Sequence, residues 1–177
     1  MKNLTLMLKK EILPISLIFI LIIARLIPHP PNFTPIVAAA IMSGFLFKNL
    51  NFSLINLTIV MFFTDALIGF YNNMFFVYLS LFLIVFIFFK INKKIKLKNL
   101  FIFSFVGSLI FFLVSNLGVW ILTDMYNKNI NGLMYCYIAA IPFFKNTLFS
   151  TIIFSYGTFL TNNILNKKLA SLLRKIA

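Results

Sequence analysis

A chain of 177 residues that is 62% apolar and 11% charged, with three acidic side chains, has too little charge to cover a water-facing surface. Soluble domains carry about 25% charged residues, so this composition excludes an ordinary cytosolic enzyme and makes hydrocarbon the expected solvent. The net charge of +13 raises nucleic acid as a partner, but no recognition module accompanies it and the lysines cluster between apolar runs, where anionic lipid suffices.

Apolar runs of membrane-spanning character fall at Ile12–Ile27, Thr34–Phe47, Phe52–Phe70, Met74–Phe89, Leu100–Thr123 and Pro142–Leu165. The expectation is an all-α polytopic membrane protein of six transmembrane helices, forming one domain over 1–177. Met1–Lys10 and the run after it resemble a signal peptide, but no small-x-small cleavage pattern follows and Arg25 closes the run, so it reads as an uncleaved first span. Of the 16 lysines and arginines, only Arg25, Lys128 and Lys145 fall on the side opposite the rest. The positive-inside rule then places both termini in the cytoplasm of a bacterial inner membrane. Leu133–Leu165 is about 50 Å as a helix, longer than the roughly 30 Å hydrocarbon core. Pro142 is therefore expected to break it, leaving a short outer interfacial helix at Ile130–Ala140 between helices 5 and 6, opened by an Asn131-Gly132 turn.

In this topology the unusual polar groups collect at the outer ends. Pro28-His29-Pro30-Pro31-Asn32-Phe33-Thr34-Pro35 is stiff and cannot be helical throughout; it is either a wall over a cavity or a tight linker. Asp65 sits roughly 7–8 Å below the outer end of the third span, where a carboxylate must face protein or water. It shares a helical face with Ile68, Gly69 and Asn72 and is either a ligand contact or a structural partner of Arg25 or Lys145. On its ligand-contact reading, Asp65→Asn weakens ligand binding without unfolding the protein. Asn116, Trp120 and Asp124 form a stripe climbing the fifth span, with Trp120 open to a belt role. Ser104, Gly107, Ser108, Ser115 and Gly118 turn that helix toward other helices. Lys145 and Asn146 open the last span, and Tyr135 and Tyr137 precede it as belt or cavity residues. Ala38-Ala39-Ala40 with Ser43 and Gly44 gives the second span a small-residue face.

No Walker A loop, dinucleotide fingerprint or His-Glu-x-x-His occurs. His29 with separated aspartates makes a poor metal site, and the lone Cys136 excludes a cysteine cluster. No cofactor, metal or catalytic group is expected, and an intramembrane enzyme using Asp65 with His29 ranks below the alternatives. There is no inverted repeat of the kind found in many secondary transporters, so uphill transport would need energy from another polypeptide.

Three stretches carry a family resemblance: Arg25-Leu26-Ile27 running into the proline-rich loop through Pro35; Ser115-Asn116-Leu117-Gly118-Val119-Trp120; and Gly132 through Cys136-Tyr137 with Ala139-Ala140-Ile141-Pro142-Phe143-Phe144-Lys145-Asn146-Thr147. They resemble an uncharacterised bacterial integral-membrane family that is similar to the substrate-binding (S) components of energy-coupling-factor vitamin and metal transporters. Thr64-Asp65 with Leu67 and Gly69 resembles a third-helix pattern of that group. The resemblance implies an S-component-like bundle that captures a small vitamin-like solute beneath the first outer loop, with a transmembrane coupling protein and cytoplasmic ATPases as partners. The first span departs from that pattern, being bulky over Ile15–Ile23 where S components often carry a small-xxx-small docking motif.

Two functions from different classes follow. In the first, Arg25, His29, Asn32, Asp65, Asn116, Trp120, Asp124, Lys145 and Asn146 line a substrate site for a small zwitterionic or aromatic solute, stacked on Trp120. In the second, the chain is a non-transporting scaffold in which the outer cluster forms internal salt bridges and the small-residue face of the second span is the working surface.

Overall fold

The computed structural model describes residues 14–47, 49–91 and 95–176. Six helices and no strand occur among them. Helix α1, Pro14–Leu26, ends in a 3-10 turn at Ala24–Leu26. It is followed by α2 at Ile36–Leu46, α3 at Leu50–Ile68, α4 at Met74–Lys90, α5 at Leu100–Leu122 and α6 at Ile130–Ile176. Three runs, Leu50–Ile68, Leu97–Leu122 and Ile130–Lys168, are long and apolar enough to cross a membrane. Exposed Ile55, Ile59, Phe62, Phe63 and Leu67 give α3 an apolar outer face, which suits hydrocarbon rather than water.

At the centre is α2. Every residue from Ile36 to Gly44 is buried, and the helix packs against α3, α4, α5 and α6. The small residues explain how. A Cβ on Gly44 would lie 2.7 Å from the Phe89 amide nitrogen and 2.8 Å from the Val85 carbonyl oxygen, so only glycine lets α2 reach the α4 backbone this closely. Gly107 of α5 gives room to the Ile41 side chain of α2. Ser104, Gly107, Ser108, Ser115 and Gly118 are all buried, as expected of a helix turned inward. With 11 residues, α2 is only about 16 Å long, well short of a full crossing.

The largest departure from expectation is α6. It runs through Pro142 as one helix of 47 residues, so there is no separate interfacial helix. A proline removes one ladder hydrogen bond, a loss that neighbouring helices in a membrane bundle can absorb. Contacts on both sides of Pro142 hold α6 to α5. The Tyr137 hydroxyl donates to the Leu113 carbonyl at 2.8 Å, and the Phe144 ring packs on Phe105 and Phe112. Nor is Asn131-Gly132 a turn. The Asn129 side chain accepts from the Gly132 amide at 2.8 Å, capping a helix that begins at Ile130.

Candidate functional site

One end of the bundle gathers the last turn of α1, the 27–35 loop, the α3–α4 connection, the final turns of α5 and the first turns of α6. Gly69, at φ +113°, ends α3. Only glycine adopts this angle readily, and the bend removes Asn72 from the Asp65 face it was expected to share. The chain re-enters at Asn73, whose amide donates to the Ser115 carbonyl at 2.9 Å, tying the start of α4 to α5.

A buried polar cluster lies behind this end. Asp65 has no solvent exposure and its Oδ1 stands 2.6 Å from Arg25 Nη1. Oδ1 is off the N–H axis and makes no directed hydrogen bond, so the contact is an ion pair. Oδ2 accepts the Tyr78 hydroxyl at 2.8 Å. Nη1 also donates to Thr64 Oγ1 at 3.1 Å and meets the Met61 sulfur. Asp65 therefore pairs with Arg25, one of the two partners open to it. Tyr71 faces the same guanidinium. Its burial, and then the Asp65 charge, raise the hydroxyl's pKa against the opposing pull of Arg25, so Tyr71 is a neutral donor at physiological pH.

Two neighbouring cavities open in front of this cluster. The inner one, about 290 Å³, is lined by Arg25, Asn32, Thr34, Ile36, Tyr71, Asn73 and Ser115 among others. The flanking one, about 320 Å³, is lined by Met125, Tyr126, Cys136, Ala139, Ala140 and Phe143. Asn32, Asn116 and Val119 belong to both linings and form the shared wall. Asn32 reaches that position with φ +60°, a left-handed conformation that asparagine tolerates better than most residues. The loop is held from α6: the Asn146 amide donates to the Pro31 carbonyl at 2.9 Å and the Thr147 hydroxyl to the Asn32 carbonyl at 3.4 Å.

The expected site residues thus separate into groups. Arg25, Asn32 and Asn116 line the inner cavity. Asp65 backs it without reaching it, and Asn146 holds its roof. His29 is exposed, with Nδ1 3.0 Å from the Pro30 carbonyl and Nε2 3.2 Å from the Arg25 carbonyl. Its contacts are to loop backbone and those of Asp65 are to Arg25 and Tyr78, so the two do not pair. Trp120, Asp124 and Lys145 line neither cavity. The Trp120 indole N–H donates to the Asn127 carbonyl at 3.0 Å, fixing the turn after α5. The Lys128 ammonium caps that helix through the Trp120, Ile121 and Thr123 carbonyls, as a cation at a helix C-terminus should. Trp120 is thus engaged with the turn and lies outside both cavities, and Asp124 and Lys145 stay exposed.

Tyr71, Asn73, Thr34 and Ser115 were missed, as were Tyr78 and Thr64 behind them. The one signal available was spacing: Ser115 adjoins Asn116 on α5. Tyr71 and Asn73 sit in a connection whose path depends on Gly69, and no periodicity reports where such side chains go.

Fold and site together define an all-helical bundle with spans of membrane character and a polar cavity at one end. The chain belongs to a family of unknown function, DUF6580, whose model matches residues 6–172. No curated protein and no solved structure matches it significantly.

Proposed function

We propose that this protein binds a small solute at the outer face of a bacterial inner membrane and delivers it inward. In this reading it has six membrane-embedded helices, both termini in the cytoplasm, and a separate energising module. That module would be a transmembrane coupling protein with cytoplasmic ATPases, as in the S components it resembles. The observation that carries the reading is the pair of cavities sharing the Asn32–Asn116 wall. Each has about the volume at which small-molecule sites begin, near 300 Å³. The flanking one combines apolar walls with a few placed polar groups, the usual composition of such sites, and the inner one is lined mostly by polar side chains.

The scaffold alternative relied on the small-residue face of α2 as a free surface. That face is buried among four neighbouring helices and is not free, although the Arg25–Asp65 ion pair is the internal salt bridge that this alternative expects.

Purified protein in detergent, screened by thermal shift against vitamins and metabolites, tests the proposal. At least one compound is expected to raise Tm for the native chain and to lose its effect in Asn116→Trp, which fills the shared wall. A shift of equal size in Asn116→Trp, or no shift with any compound, would refute it.

A further inference from the structure

Resting on that capture reading, we propose that the solute is an amphipathic carboxylate. Its carboxylate sits between Arg25 and the start of α2, and its apolar body occupies the flanking cavity.

The inner cavity supplies the anion-binding end. The contacts of Arg25 to Met61, Thr64 and Asp65 all run through Nη1. None of these three contacts uses Nη2 or Nε, Arg25 lines the cavity, and a guanidinium edge matches the two oxygens of a carboxylate. Asp65 cancels the charge of Arg25, so the pair alone gives no preference for anions. The tie is broken by α2. Its first residue, Ile36, borders the same cavity, as does Thr34 just before it. No side chain caps it, and its first ladder bond is from the Ala39 amide to the Pro35 carbonyl. The amides of Ile36, Val37 and Ala38 therefore precede the ladder, on residues that are all buried. Buried helix starts need acceptors, and such an end carries about half a positive charge. Anionic oxygens would meet both demands. A cationic solute finds no counter-charge, because neither lining contains an aspartate or glutamate.

The flanking cavity supplies the apolar end. Met125, Ala139, Ala140, Phe143 and Cys136 dominate its walls and none of its lining residues is charged. The shared asparagines put the two cavities side by side, so one elongated molecule can place a carboxylate in the first and a hydrocarbon or aryl group in the second.

The test uses the full chain in detergent with phenylbutyrate and its uncharged analogue phenylbutyramide. Phenylbutyrate is expected to raise Tm at concentrations about tenfold lower than the amide requires, the factor that a charge-assisted contact confers. The double variant Arg25→Gln/Asp65→Asn removes both charges together, avoiding a lone buried ion; it takes away the guanidinium edge but not the α2 start, and is expected to shrink the acid's advantage severalfold. Ala139→Phe, an exposed position on the flanking wall, is expected to weaken the acid about tenfold. Equal action of acid and amide on the native chain would overturn the inference, as would an acid preference undiminished in the double variant. A neutral or cationic metabolite that binds the native chain and is blocked by Asn116→Trp would also overturn it, while leaving solute capture standing. If no compound of either set shifts Tm, capture itself fails.

Discussion

Replacing Asp65 by asparagine isolates the ion pair that backs the site. The Asp65 side chain has no exposure and its Arg25 partner is 11% exposed, so screening by water is small. Removing one member of a buried pair costs about 3–5 kcal/mol, because the other charge stays behind uncompensated. Asparagine keeps an oxygen that can accept the Tyr78 hydroxyl, which places the loss at the low end, about 3 kcal/mol. Reversible thermal or denaturant unfolding in detergent should therefore show Asp65→Asn strongly destabilised. This revises the sequence-based expectation of a weakened ligand response in an otherwise stable protein. Adding Arg25→Gln should recover much of the loss, since two neutral amides in a dry site are tolerated better than one orphaned cation. If Asp65→Asn unfolds within about 0.5 kcal/mol of the native chain, the range of ordinary surface changes, the pair is not the buried structural contact described. Strict additivity in the double variant would refute it equally, since contacting residues must couple.

Other substitutions read out separate parts of the structure. Gly44→Ala pushes a methyl group into the α4 backbone and should cost about 1–3 kcal/mol in unfolding experiments. Gly157→Ala, with nothing within 4 Å of the new carbon, should be neutral or gain up to about 1 kcal/mol. Asn146→Ala removes the tie to the Pro31 carbonyl; it should lower stability by about 1 kcal/mol and speed protease cleavage within 27–35. Pro142→Ala restores a ladder donor in a helix that is already continuous, so hydrogen exchange across 138–146 should slow without loss of Tm. A drop in Tm would mean that Pro142 does mark a junction.

Much of the architecture was legible because it follows from burial. Apolar runs located the helices, and the small residues of the second and fifth runs marked the faces that became the interior. That Arg25, Asn32 and Asn116 would gather was legible because polar groups next to apolar runs need partners, and all three line the inner cavity. What could not be read was direction. Trp120 and Asn116 lie four residues apart on α5, yet one faces the turn after the helix and the other the cavity wall. Pro142 misled for a related reason. Its local cost argues for a break, while the contacts of Tyr137 and Phe144 with α5 favour continuity, and those contacts are long-range.

The cavity and the short helix have one cause. A full crossing needs about 20 residues, and α2 has 11. Buried among longer neighbours, it leaves the end of the bundle beyond Ile36 without a helix at its centre. The stiff loop fills part of that depth, bringing Asn32 down to the shared wall, and the two cavities are what the loop does not fill. A longer second helix would have put side chains and a hydrogen-bonded backbone where Arg25, Tyr71 and Asn116 now converge. Discontinuous helices create polar cavities in membranes by the same means, because backbone groups at their ends are tolerated only where they line a site or find a partner. The uncapped first turn of α2 meets that condition only if something polar approaches it, and the inner cavity is the space through which it can.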